Sequence, residues 1–253
     1  DRHINPRLGS RKVTDITRGD LQRLMIDVGN GHIRGDATPH TRGIFTFAQE
    51  RGFVEANPVR CVKRYKDGRR ERFLSASELG KLGNVLSAQE KDGSDPRHVA
   101  IIRLLLLTGA RKNEIARLRW SEVDLEKGLL RLKDSKTGPK VIRLVAVATS
   151  LLAKLPKAHS AWVFPDRRHA DRPTSNLEWA WVRIRTKAEL PDVRIHDLRH
   201  SFASMGVAGG EGLVLIGKLL GHEHVVTTNR YAHLSDEPCR QPPIALVRAW
   251  RKR

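Results

Sequence analysis

The residues of this chain best suited to chemistry lie between Ile195 and Leu234, in the stretch IHDLRHSFASMGVAGGEGLVLIGKLLGHEHVVTTNRYAHL. His196 and Arg199 are three positions apart, so on a helix they share one face. His222 follows a glycine at the end of an apolar run, and nine residues later comes Tyr231, one of only two tyrosines. A cation pair, a second histidine and a lone phenol make a set suited to a phosphate. The cations neutralise its oxygens and the phenol attacks phosphorus. A free phenol has a pKa of about 10, so the nucleophile must shed its proton during attack.

Several elements must position these groups. The helix carrying His196 and Arg199 continues through Ser201, Phe202, Ala203 and Met205 until Gly209-Gly210 stops it. A second apolar run, Leu213 to Leu220, closes on Gly221, a good C-terminal cap just before His222. Upstream, Ser75 and Glu78 form a capping box that starts a helix. Pro96 opens the next helix, which carries the core run Val99 to Leu107 and ends at Gly109. Arg111 then stands where a loop meets a new helix N-terminus, a natural place for an anion, with Leu118 and Trp120 expected on the buried face of that helix. Alternation over Leu129–Lys133 and Val141–Val145, with Gly138-Pro139 between them, predicts a β-hairpin with Lys136 near its tip. Short and long helices follow over Ser150–Leu155 and Thr174–Lys187, the latter with Leu177, Trp181 and Ile184 inward and closed by Pro191. The fold class is mainly α with a small β-hairpin.

Three linked motifs, His-x-x-Arg, Leu-Leu-Gly-His and Thr-Thr-x-x-Tyr-Ala-His-Leu, resemble in order and spacing those of the tyrosine recombinase (phage integrase) family. Thr108-Gly-Ala-Arg-Lys-Asn-Glu-Ile is similar to the family's first catalytic arginine motif, and Asp134-Ser-Lys-Thr-Gly stands where its catalytic lysine lies. The resemblance covers residues 73–235 strongly and 1–65 loosely. It implies a site-specific recombinase or integrase of a mobile element, cleaving and rejoining DNA through a 3′-phosphotyrosine. Arg111 and Arg199 would clamp the scissile phosphate, His222 would bond another oxygen and Tyr231 would attack. His196 would take the proton or only orient the phosphate. Lys136 would protonate the departing 5′ oxygen, with Lys133 and Lys140 as rivals that otherwise touch the DNA backbone, and Glu114 would hold neighbouring side chains. His200 and Asp197 suit packing and hydrogen bonding around the site. No metal or other cofactor is implied. The implied partners are duplex DNA, three further copies in a tetramer on two sites, and accessory DNA-bending proteins.

Composition agrees with a polyanionic partner. The 253 residues hold 47 Lys and Arg against 28 Asp and Glu, a formal charge of +19. The run Lys63 to Arg72, KRYKDGRRER, reads as an interdomain linker and basic strap, with Lys63, Arg64, Arg69 and Arg70 as DNA contacts. It separates a helical domain over 1–65, which resembles the family's core-binding domain with too few helices, from a catalytic domain over 73–235. The tail 236–253 is proline-rich, then basic, and either docks on a neighbouring protomer or is disordered. The chain opens on Asp1, as a fragment would. Cys61 and Cys239 form no metal or redox pattern, which fits a reducing cytoplasm. The longest apolar run is too short for a bilayer and contains Arg103, so no membrane partner is expected.

Three rival readings share some of these features. His196 and His200, at i and i+4, resemble a zinc-binding helix with His222 or His224 as third ligand, but with Asp in place of Glu and Arg199 between the ligands. A non-catalytic DNA-binding module keeps the charge and leaves the polar set without use. A type IB topoisomerase shares the phosphotyrosine chemistry without exchanging DNA partners.

Overall fold

The computed structural model describes residues 4–30, 37–60, 62, 72–93, 95–135, 138–157, 160–221 and 225–234. The chain divides into two compact units, Asp1–Arg70 and Glu71–Arg253.

The first unit holds helices α1 (Asn5–Leu8), α2 (Arg18–Asn30) and α3 (Ala37–Glu50). Thr17 caps α2: its hydroxyl accepts from the Asp20 N–H at 3.3 Å, while Asp20 Oδ2 accepts from the Thr17 N–H at 2.9 Å. Leu8, Leu21, Leu24, Met25, Phe45, Val59 and Val62 form a small core of its own.

The second unit is built around a helix buried on every side. Helices α4 (Ala76–Lys91) and α5 (Pro96–Thr108) begin it. Ser75 starts α4 with the capping box expected from its spacing to Glu78. In α5 every residue from Val99 to Leu106 is buried, including Arg103, whose guanidinium meets Glu90 through two bonds of 2.9 Å. A helix apolar all round belongs at the centre of a core, and α5 is packed by the helices before and after it. Gly109 ends α5 at φ 62°, a left-handed cap; a Cβ there would stand 2.4 Å from Phe202 Cδ1.

Helix α6 (Lys112–Ala116) is shorter than its sequence predicts. Leu118 is buried, but beyond the helix: the Val163 N–H donates to its carbonyl at 2.9 Å and the Trp120 N–H donates to Ala161 at 3.0 Å. This extended pairing takes up the backbone groups that another helical turn would need, and Trp120 opens a 3-10 turn instead of lining a helix face. A three-stranded antiparallel sheet follows, β1 (Val123–Asp124), β2 (Leu129–Leu132) and β3 (Lys140–Arg143). Leu130 pairs with Ile142, and these two with Leu132 face the core. Strand β1, of two residues, is too short to show a period of two in the sequence.

Helix α7 (Ala146–Ala153) starts earlier than its expected Ser150, and α8 (Leu177–Lys187) starts later than Thr174. The delay has a cause in pairing, since the Thr174 N–H donates to Phe164 at 2.8 Å and Pro165 bridges Pro173. Glu189, at φ 60°, turns the chain before Pro191 is reached. Helices α9 (Asp197–Ala208), α10 (Leu213–Leu220) and α11 (Val225–Thr228) then lead to a 3-10 turn over Asn229–Leu234. His196 is the N-cap of α9 and not inside it. Ser201 on α9 accepts from the Leu74 N–H at 2.9 Å, fixing the entry of the chain into this unit. Among the described residues no helix is long and apolar enough to cross a membrane.

Candidate active site

Two chain reversals create the centre of the site. The left-handed caps at Gly109 and Gly221 end α5 and α10, leaving carbonyls with no helical partner beside the caps. Arg199, projecting from α9, takes one from each end. Its Nη1 donates to Gly109 O at 2.7 Å and its Nη2 to Leu220 O at 2.8 Å. Lys140, from the start of β3, donates to the same Leu220 carbonyl at 3.0 Å. Arg111 Nη2 lies 3.5 Å from Gly221 O. The C-terminus of α10 carries the negative end of the helix dipole, which favours this gathering of cations.

One carboxylate stands among the three. Glu114 Oε2 accepts from the Arg111 N–H at 2.9 Å and lies 3.3 Å from Lys140 Nζ, while Oε1 accepts from Arg111 Nη1 at 2.8 Å. Burial disfavours its charge, but the Arg111 N–H, Lys140 and the Arg111 guanidinium outweigh burial and hold the carboxyl below its ordinary range. Burial pushes the Lys140 ammonium down, with Glu114 opposing and Arg199 and Arg111 adding to the effect. Arg199 is pushed down to about 10, by burial first and by Arg111 next, with Glu114 and Tyr231 acting in the other direction. Among the described residues, Arg111, Lys140 and Arg199 thus share one acid, Glu114, and the cluster carries two positive charges in excess. That is the electrostatic condition for accepting a phosphodiester.

Tyr231 is 1% exposed and packs with Ala203, Val207, Ile216 and Leu220, its ring tilted against Phe73. Its ionised form favours the charged form of Arg199. Its hydroxyl lies 2.6 Å from Nδ1 of His200. His196, assigned above as proton acceptor or phosphate ligand, is exposed at the helix start. There it lines an open cleft of about 760 Å³ together with Arg111, Arg117, Arg119 and Lys133.

The structure therefore brings together Arg111, Glu114, Arg199 and Tyr231, with His196 at the rim. Lys133 is exposed and lines the cleft. Lys140, the rival catalytic lysine or DNA-backbone contact, is different: its side chain is 8% exposed and bonds Glu114 and the Leu220 carbonyl. Lys136, His222, Lys63, Arg64, Arg69 and Arg70 lie outside the described residues. Arg117 and Arg119 were missed. They are exposed on either side of buried Leu118, and the Arg119 guanidinium stacks 4.2 Å from the Trp162 ring centre. Read as extended rather than helical, this alternation would have placed both on one face. The zinc reading meets a different arrangement: His200 spends Nδ1 on Tyr231, and the His196 and His200 rings stand edge to face at 4.9 Å. Among the described residues, no group of three or more His, Cys, Asp or Glu is placed to hold a metal ion.

Comparison with known sequences decides the family. The sequence model of the phage integrase family matches residues 72–238. The chain belongs to the phage integrase family. Tyrosine recombinase XerA of Saccharolobus solfataricus is 35% identical over 227 residues, covering 87% of this chain and 75% of that protein. Prophage integrase IntF of Escherichia coli is 30% identical over 166 residues, 63% of this chain and 34% of IntF. Among solved structures, a lambda integrase dimer bound to a COC′ core site matches with a TM-score of 0.65 at 20% identity, covering 95% of this chain and 70% of that chain. A XerA recombinase crystal structure matches with a TM-score of 0.55 at 22% identity, covering 100% of this chain and 88% of that chain. The fold is the tyrosine recombinase fold, and the chain is a site-specific DNA recombinase.

Proposed function

We propose that this recombinase cleaves duplex DNA by attack of Tyr231 on a phosphodiester held between Arg111 and Arg199. The observation that carries the proposal is the cluster of three cations around one carboxylate, with Arg199 and Lys140 bonded to the carbonyl of Leu220, against which the buried Tyr231 packs. Arg111 and Arg199 supply planar donors for the nonbridging oxygens, and both stay charged through the reaction. Glu114 keeps Arg111 and Lys140 at fixed distances, so little reorganisation is needed when negative charge develops. Lys136 protonates the departing 5′ oxygen and His222 bonds a nonbridging oxygen; the family motif supports both roles. Lys140 acts from inside, joining Glu114 to the end of α10. The products are a 3′-phosphotyrosine and a 5′ hydroxyl, and exchange of one phosphodiester for another requires no nucleotide cofactor.

The basic strap 63–72, with Lys133, Arg117 and Arg119, follows the DNA backbone. A charge surplus of +19 supports several phosphate contacts. Residues 1–65 form the core-binding domain, residues 73–235 the catalytic domain, and the tail 236–253 docks on a neighbouring protomer. The protein works in the cytoplasm on the DNA of a prophage or other mobile element, as a tetramer on two sites, with accessory DNA-bending proteins. The test is to express the chain in cells, denature rapidly, and sequence the DNA fragments that remain covalently attached. One shared sequence with attachment through a 3′ phosphate is expected. Recovery of no attached DNA, or attachment through serine, would overturn the proposal.

A further inference from the structure

We propose that Phe73 is a positioning residue for the nucleophile: its ring sets the angle of the Tyr231 ring, and so the place of the hydroxyl that attacks the scissile phosphate. This rests on the tyrosine nucleophile proposed above and deepens that reading. Both residues lie in the second unit. Their ring centroids are 6.3 Å apart with the planes tilted by 56°, inside the roughly 4.5–7 Å range in which aromatic pairs attract. The His200 ring stands 6.0 Å from the phenol at 51°, and Ala203, Val207, Ile216 and Leu220 pack around it. Aliphatic walls fill the space beside a ring. A tilted aromatic partner also favours one angle, because the ring edge is positive and the face negative.

Phe73 can set that angle because its own backbone is fixed on both sides. Its carbonyl accepts from Arg72 Nη1 at 2.6 Å. The same guanidinium donates to Glu78 Oε2 at 3.0 Å, in the first turn of α4, and to Asp192 Oδ2 at 2.8 Å, in the turn before α9. On the other side, the Leu74 N–H donates to Ser201 Oγ on α9, which donates in turn to the Asp197 carbonyl at 2.8 Å. Leu74 itself belongs to the main core of the unit. Tyr231 is held less firmly by its own backbone. It arrives on a six-residue 3-10 turn, whose hydrogen bonds are poorer than those of an α-helix. Its orientation therefore depends on what surrounds the ring. The hydroxyl sits at the far end of the side chain, so a small rotation moves the reacting oxygen further than any ring carbon. A misplacement of about 1 Å can cost about 100-fold in rate.

The test uses the full chain and a nicked duplex carrying the DNA sequence recovered from covalent adducts. It measures the half-saturating DNA concentration and the single-turnover rate of adduct formation at saturation. Phe73→Leu and Phe73→Met keep an apolar side chain and remove the ring, so either one, shown to be folded by urea unfolding, decides. The rate at saturation should fall by about 10- to 100-fold with the half-saturating concentration unchanged. Phe73→Tyr, which keeps a ring at this half-buried position, should return the rate to near wild type. Replacing tyrosine by 3-fluorotyrosine gives a fluorine NMR signal for each of Tyr65 and Tyr231, assigned with Tyr65→Phe. The Tyr231 signal should shift in Phe73→Leu while the Tyr65 signal stays. Ringless variants that cleave at the wild-type rate overturn the inference, as do faster ones, which would make Phe73 a restraint on the nucleophile. A loss confined to DNA affinity, a Phe73→Tyr protein as slow as Phe73→Leu, or an unmoved Tyr231 signal overturns it too. If neither ringless variant folds, Phe73 is structural and the inference fails. A wild-type protein whose adduct maps to another residue overturns the nucleophile reading itself, so the two failures are distinct.

Discussion

Arg199 donates from Nη1 to the carbonyl oxygen of Gly109 at 2.7 Å, joining residues 90 positions apart. The bond ties Arg199, half of the proposed phosphate clamp, to the end of the central helix. It depends on Gly109, whose φ of 62° and closeness to Phe202 leave no room for a side chain. Gly109→Ala should therefore cost about 1–3 kcal/mol of stability from backbone strain and displace the carbonyl that orients Arg199. Urea unfolding should show a lower midpoint, and cleavage should fall while binding to non-specific duplex persists. Wild-type stability together with wild-type cleavage would refute this dependence.

Lys136 and Lys140, two of the three hairpin lysines, should separate by a substitution in the DNA. Lys136 is assigned to protonate the 5′ oxygen, whereas Lys140 is anchored to Glu114 and Leu220. A 5′ sulfur leaves without needing a proton. Lys136→Ala should cleave the sulfur-bridged strand nearly as well as wild type and fail on ordinary DNA. Lys140→Ala should be impaired on both, because it disturbs the cluster that holds the phosphate. If Lys140→Ala is the variant rescued by sulfur, the roles of the two lysines are exchanged.

Acid should act on the second unit through Glu78. Arg72 bonds both of its carboxylate oxygens, at 2.5 and 3.0 Å. The Arg72 guanidinium, against an opposing burial effect and with help from Ser75, lowers this carboxyl from 4.5 to about 2. A depressed carboxyl binds its proton more weakly in the folded state, so its stabilisation is complete above the unfolded value and is lost as pH falls through the folded one. Urea midpoints of wild type and Glu78→Gln should differ at about pH 6 and converge as pH falls from about 4.5 toward 2. A difference that stays constant through that window would show that the Arg72 contact carries no linkage.

Much of the site is legible in the sequence because its parts sit at chain reversals that leave local marks. Gly109 and Gly221 signal their left-handed caps, and Arg111 and His222, the residues proposed to meet the phosphate, follow those glycines within two positions of the sequence. The capping box at Ser75 and Glu78 and the buried run of α5 are equally local. The errors arise where partners are distant in sequence. The stretch Leu118–Trp120 pairs with residues 161–163, so it is extended where its own pattern reads as helix. Lys140 looks like any hairpin lysine until α10 brings the Leu220 carbonyl to it from 80 positions away. His196 and His200 share a helix face in the sequence pattern. Only the turn that returns Tyr231 to α9 brings the phenol to His200 Nδ1.

The central claim is that Tyr231 is the nucleophile, and the most direct measurement is the identity of the residue that becomes attached to DNA. Tyr65 and Tyr231 are the only phenols in the chain. A duplex with the recovered sequence, nicked so that the short 5′-hydroxyl fragment diffuses away, traps the adduct as a slow band on a denaturing gel. The account predicts that peptide mapping places the nucleotide on Tyr231. It also predicts that Tyr231→Phe, which keeps the ring and removes only the hydroxyl, binds DNA and forms no adduct, while Tyr65→Phe forms it as wild type does. A covalent species that persists in Tyr231→Phe, or one mapped to any other residue, would contradict the account.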